Sequence, residues 1–468
     1  MAFWELERHP ADAPALIEAD RRLDFGELAR QADASVAGLP DLPRTMGFLA
    51  FSSTSEAVAL YLGALRSGRH VPLLMQADMD PRLLAALTAH YRPDWLALAT
   101  DAAPPEGYKA SATLGRLTIH VAQSVEALPP HPDLGLLLNT SGSTGSSKLV
   151  RLSYKGLASN AASIVEYLGL RADDRAITTL PLAYSFGMSI LNSHLDAGAS
   201  LVLTEESMVG RGFWELARAE EITSLSGVPA TFEMLRRVGL ERFGLDRLRM
   251  LTQAGGRLRD ALILEFLDVS ERLGLEFFVM YGQTEAGPRI SYVPAARLRD
   301  KVGSIGIAVP GGQLDLDQEN GELVYRGPNV MLGYASQRED LAAGDETGGV
   351  LRTGDLARRD EDGYYYITGR AKRFVKISGN RVNLDEVESL LAAELGHAVA
   401  CSGGDDDLVV FAAEETGAGQ ATVRKVVQQR YKLFPGHVRL VALPALPLLA
   451  TGKIDYQALR LLCTVSDK

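Results

Sequence analysis

The chain has 468 residues, of which 46% are hydrophobic and 23% charged, with a net charge of -11; that is enough for two or three domains with sizeable cores. The acidic balance argues against a nucleic-acid partner, whose grip rests on Lys and Arg neutralising phosphates. The opening MAFWELERHP lacks a signal-peptide core, no apolar run has membrane-spanning length, and Cys401 and Cys463 form neither a CxxC pair nor a metal-ligand array, so a reduced, cytoplasmic protein is expected.

From the N-terminus, short β-rich runs alternate with helical patterns, as in Gly47 to Phe51, Glu56 to Ser67 and His70 to Leu74. That alternation predicts a layered α/β architecture. The next informative stretch is TSGSTGSSK, from Thr140 to Lys148. Its glycines let backbone N–H groups turn toward an anion, its hydroxyls add donors, and Lys148 adds a mobile charge. In the Walker arrangement the second glycine directly precedes the lysine and a helix follows. Here Lys148 stands three residues past Gly145, and Leu149 to Leu152 alternate as a strand does, so the loop is expected to link two strands. By itself the cluster is equally a turn.

Further along, Gly363 to Thr368 reads as a strand. Asn383 then suits a helix cap, with Glu386 three positions on and Val387, Leu390, Leu391 and Leu395 as the apolar face. A new compact unit is expected to start near residue 371. Residues 371–468 carry 12 Lys/Arg and 11 Asp/Glu, leaving 36 against 48 for residues 1–370. A near-neutral C-terminal part is compatible with an anionic partner docking near it.

Taken with the glycine-rich loop, five segments make the chain resemble the adenylate-forming superfamily of acyl-CoA synthetases, aryl-acid ligases, peptide-synthetase adenylation domains and luciferases. They are LPLAYSFG (180–187), YGQTEAG (281–287), GELVYRGPNVMLGY (321–334), the block from RTGD at 352 to 388, and TGKIDYQAL (451–459). The resemblance runs from LDFGELA at 23–29 onward. It implies a multi-layer N-terminal domain over 1–370, with helix-flanked sheets and a small barrel-like part, and a mobile α+β lid over 371–468.

The implied reaction moves a carboxylate onto AMP and then onto a thiol, with ATP and Mg²⁺ consumed and bound, and CoA or a carrier protein's phosphopantetheine as acceptor. Positioning and electrostatics carry such chemistry. By resemblance, Thr140, Ser141, Gly142, Ser143, Thr144, Gly145 and Lys148 would hold the β- and γ-phosphates. Thr284 would touch the α-phosphate, and Glu285 with Thr144 would hold Mg²⁺. Gly255 and Gly256 would admit adenine, Tyr281 would stack on it, and Asp355 and Arg370 would take the ribose. Lys453 would bridge the substrate carboxylate and the α-phosphate. After adenylation the lid would turn about Lys372, bringing Lys376, Ser378 and Gly379 to the thiol tunnel. Read alone, Asp355 and Lys453 are ordinary solvated charges and Tyr281 is core filler.

There are departures from the family pattern. Ser147 and Leu149 stand where Pro and Gly flank the loop lysine, and Tyr184 stands where His is usual. Ser185 falls where amino-acid-activating members keep an Asp for the substrate ammonium; an unpaired buried ammonium is costly, so an α-amino acid is not expected. The acyl pocket is drawn from Tyr184, Ser185, Phe186 and Met188, with Gly227, Val228, Gln253 and Ala254, and with Gln283 and Pro288. That lining suits an aryl acid or a short, hydroxylated or aliphatic acid. Arg289 could meet a second substrate charge, but the ordinary expectation for an arginine is exposure. Lys372, Arg373, Arg381, Arg424 and Lys425 could face either CoA or a carrier protein. A stand-alone enzyme of secondary metabolism is expected; the alternative is a non-catalytic nucleotide-binding scaffold of the same fold.

Overall fold

The computed structural model describes residues 2–124, 128–139, 148–370, 373–377, 380–404, 407–413, 419–431, 435–449 and 454–465. Packing divides the chain into two units, one of residues 1–314 and 325–351, the other of 315–324 and 352–468. This cut lies upstream of the expected boundary at 370.

The first unit holds two large sheets. One has eight strands in the order Gly333–Ala335, Leu149–Ser153, Leu134–Asn139, His70–Met75, Thr45–Ala50, Trp95–Ala99, Leu117–Ala122 and Tyr108–Leu114. Thr45–Ala50 and His70–Met75 are buried at every position, as parallel strands covered on both faces must be. The other sheet has nine strands, and its middle six run parallel in the order Glu276–Gly282, Met250–Gln253, Ser224–Gly227, Arg175–Ile177, Ser200–Val202 and Pro14–Ile17. The layered α/β expectation is met, with strands and helices alternating where the sequence pattern placed them.

Local chemistry sets the helix ends. Thr54 caps Ser55–Ser67 by accepting from the Ala57 amide, and Gly68 ends it at φ 65°. Ser153 caps Tyr154–Leu168 through the Gly156 amide at 2.9 Å, and Gly169 closes it at φ 56°. A side-chain oxygen at the first position and a left-handed glycine at the last satisfy groups that the helix itself leaves unpaired.

Most of a four-stranded sheet of Gln313–Leu316, Glu322–Arg326, Val350–Arg359 and Tyr365–Arg370, the half-barrel part of the fold, falls in the second unit. A hairpin of Phe374–Ile377 and Asn380–Asn383 follows, then a three-stranded sheet of Val399–Gly404, Asp407–Ala413 and Val438–Leu443. The helix Leu384–Leu395 begins directly after Asn383 and buries Val387 and Leu391 in this unit's core. Arg373 corrects an expectation: it is buried, pairs with Asp385 and with Glu388 at 2.8 Å, and lies 3.7 Å over the Tyr456 ring. A guanidinium committed to two carboxylates and a ring is not free for a thiol-bearing partner.

Two predictions concern the first unit. Arg338 and Asp94 form a 2.7 Å ion pair in which both side chains are almost fully buried. Removing one partner strands the other charge, so Asp94→Ala should lower the unfolding free energy by about 3 kcal/mol or more in urea titration. His194 is wholly buried, and burial holds its pKa down at about 4 against an ordinary 6.5. The unfolded chain therefore binds the proton first. Stability is fully present above pH 6.5 and falls as pH drops toward 4, by up to about 1.4 kcal/mol per pH unit from this group; a His194→Gln protein should show a shallower acid slope.

Candidate active site

The parallel strands Ser224–Gly227, Met250–Gln253 and Glu276–Gly282 stand in flush register, with Ser224 beside Met250 and Met250 beside Glu276. Their carboxyl ends deliver Gly227 and Val228, then Gln253 to Gly256, then Tyr281 to Glu285. Ligands of open α/β sheets bind beyond such ends. Gly255 has φ +81°, and a Cβ there would lie 2.8 Å from the Tyr184 hydroxyl oxygen and 3.0 Å from Val228 Cγ1. Gly255, Tyr184 and Val228 therefore converge on one spot, and only glycine leaves it open. Gln253 is buried; its Nε2 donates to the Ala254 and Gly256 carbonyls at 3.1 and 2.9 Å, which fixes the glycine turn.

Tyr184 occupies the cap position of the helix Ser185–Ala197, so Ser185 and Phe186 open its first turn. Ser185 Oγ lies 3.3 Å from Thr284 Oγ1, joining the helix start to the YGQTEAG turn. Tyr184 and Phe186 meet edge to face at 6.4 Å, and burial raises the Tyr184 pKa, so its phenol stays neutral. Gln283 Nε2 donates to Tyr281 Oη at 3.2 Å. Met188 is fully buried one residue past the helix's first turn, and Pro288 is buried just before the strand Arg289–Val293.

The short helical turn Thr284–Ala286 is held from the GPNVMLGY segment. Asn329 Nδ2 donates to the Ala286 carbonyl at 2.6 Å and the Arg289 carbonyl at 2.8 Å, while its Oδ1 accepts from Tyr325 Oη at 2.7 Å. Met331 N donates to the Glu285 carbonyl at 2.8 Å, and Tyr334 Oη donates to Glu285 Oε1 at 2.8 Å. Asn329 and Tyr334 are site-building residues that sequence reasoning did not single out. The signal was an asparagine and a tyrosine inside a segment quoted only for resemblance.

Arg289 is the clearest correction. It is 4% exposed rather than at the surface, and its Cζ sits 4.2 Å over the Phe186 ring. The reason is its place in a strand antiparallel to Glu276–Gly282, paired with Gly282, which turns the side chain under the aromatic pair instead of out to water.

The glycine-rich loop springs from the paired strands Leu134–Asn139 and Leu149–Ser153, with Asn139 opposite Leu149. A loop joining two strands is as expected. Lys148 is exposed at its exit. Thr140, Ser141, Gly142, Ser143, Thr144 and Gly145 lie outside the described residues, as do Lys372, Ser378, Gly379 and Lys453. Lys376 belongs to the strand Phe374–Ile377. In the second unit Asp355 and Arg370 are register partners of adjacent strands, with Arg370 Nε 3.2 Å from a buried Asp355 carboxylate.

Residues 3–335 match the family described as AMP-binding enzyme. An indoleacetate–CoA ligase of Aromatoleum aromaticum is 32% identical over 97% of this chain and 96% of its own. A feruloyl-CoA synthase from an Amycolatopsis species is 30% identical over 60% of each chain. The o-succinylbenzoate CoA synthetase of Bacillus subtilis, solved with its acyl-adenylate, superposes with a TM-score of 0.78 at 20% identity over 98% of both chains; it has also been solved with ATP and a magnesium ion. With the family matched across most of the chain and a full-length relative above 30% identity, this protein belongs to the AMP-binding enzyme family.

Proposed function

We propose that the chain activates an aryl or short aliphatic acid as its acyl-adenylate and passes it to CoA. The observation that carries this reading is the convergence of Ser185, Thr284, the glycine turn at 255–256 and Tyr184 at the ends of the parallel strands, with Glu285 fixed beside them. The relatives named for CoA ligation favour CoA over a carrier protein.

Two anions must approach for this reaction, so donors have to be fixed before substrates arrive. Thr284 offers a hydroxyl that is buried and already oriented by Ser185. Glu285 offers hard carboxylate oxygen, and Mg²⁺ is ordinarily held by one or two carboxylates together with substrate phosphates; Glu285, with Thr144 by resemblance, would hold it, and the ion would neutralise phosphate charge. Tyr281 and the Gly255–Gly256 turn are the adenine site in this reading, Asp355 and Arg370 the ribose site, and Thr140 to Lys148 the phosphate loop. Lys453 supplies the positive charge between carboxylate and α-phosphate. Use of ATP and CoA, both intracellular pools, supports a cytoplasmic location for the enzyme.

ATP/pyrophosphate exchange across a panel of carboxylic acids tests the reading, since ATP binding with no exchange from any acid would instead favour a scaffold. Lys453→Ala should depress adenylation about 100-fold or more while leaving thioester formation from supplied acyl-adenylate largely intact. Lys372→Pro should do the opposite, because a proline fixes φ at the expected pivot. Equal loss of both half-reactions in both proteins would count against a two-conformation cycle.

A further inference from the structure

Arg289 is buried with no carboxylate among the groups that act on it. Its side chain is enclosed, its Nε has no hydrogen-bond partner among the described residues, and its Cζ packs 4.2 Å over Phe186. The titratable groups that act on it are the phenols of Tyr167, which also hydrogen-bonds the guanidinium, and Tyr184; burial holds both neutral, Tyr167 with its pKa pushed up to about 12. No carboxylate is among them. Tyr167 Oη itself donates to Met280 Sδ at 2.9 Å. Removing a guanidinium from water without an anion costs several kcal/mol, and a cation–π contact recovers only part of that.

The position is nevertheless built. The Arg289 carbonyl accepts from Asn160 Nδ2 at 3.3 Å and from Asn329 Nδ2 at 2.8 Å, so the backbone is clamped from two sides. A cavity of about 10 Å³ adjoins it, lined by apolar side chains such as Ile164, Leu168 and Met280 as well as by Ser189, Ser224 and Thr252; that is room for about one water. Phe186, which covers the cation, is the same ring that meets Tyr184 and stands 3.8 Å from where a Cβ on Gly255 would be. In the adenylation reading the acid's reacting end lies by Thr284, and its tail would run along Tyr184 and Phe186, the ring against which Arg289 packs.

We propose that the acid activated here is a dicarboxylic acid, short-chain or aryl, and that Arg289 pairs with the carboxylate that does not react. The inference rests on the adenylation reading and narrows its substrate class. Arg289 is then a specificity residue: its charge, costly when alone, favours a dianion and disfavours an uncharged tail.

The test measures ATP/pyrophosphate exchange by the full-length protein with succinate, glutarate and isophthalate, each beside its own monomethyl ester. In the unaltered protein the free diacid should exceed its ester in kcat/KM by about 30-fold or more, the loss typical when one member of a buried charge pair is removed. Arg289→Met should bring diacid and ester to near parity, and Arg289→Lys should keep the preference in weaker form. Thermal stabilisation by glutarate should be present in the unaltered protein and lost in Arg289→Met, a readout independent of turnover. Esters and simple monoacids performing as well as diacids in the unaltered protein overturn the pairing while leaving adenylation standing. Exchange with no acid of either kind removes the adenylation reading itself and the pairing with it. Should Arg289→Met fail to fold, the diacid-to-ester ratio of the unaltered protein decides alone.

Discussion

One buried asparagine organises the centre of this enzyme. The turn after the strand Glu276–Gly282 leaves main-chain carbonyls at Ala286 and Arg289 facing inward, where water cannot serve them and each unpaired group would be costly. Asn329 has two N–H bonds to give and uses its amide nitrogen for both carbonyls, while Tyr325 holds the amide's oxygen. Thr284, Glu285 and Arg289 all hang from that turn. Their positions follow from a hydrogen-bond requirement of the backbone before any substrate is considered.

An acidic protein can still gather anions because the relevant field is local. Around the turn the structure supplies hydroxyls from Ser185 and Thr284, a positive-φ glycine backbone, and one enclosed guanidinium, whereas the net charge of -11 sums over every residue of the chain. Low-dielectric surroundings strengthen each of these few donors. Arg151 shows the same economy in a structural role: fully buried, it pairs with Glu346 and donates toward the carbonyls of Leu332 and Tyr334, fixing the strand that presents Tyr334 to Glu285.

Much of this was legible in the sequence, and the limits have physical causes. Strand–helix alternation, the strand after Lys148 and the helix after Asn383 were readable because periodicity and capping are local properties. The grouping of 184–186, 253–256 and 281–285 was legible through motif order, and the contacts Ser185–Thr284 and Tyr184 with Gly255 bring those segments together. Arg289 and Arg373 were not legible. Arginine ordinarily keeps its head in water, and much of what buries these two comes from elsewhere in the chain: Phe186 and Asn160 for one, Tyr456 for the other. A side chain's type gives no hint of partners so distant in sequence.

The chain reversal at Gly282 has a further consequence. A Cβ on residue 282 would sit 1.8 Å from the Pro288 carbonyl oxygen, so two backbone segments there touch with nothing between them. Single-step variation is closed off at 282, as no side chain fits without moving both segments and everything hung from them. Position 282 is held to glycine in any descendant that keeps this turn.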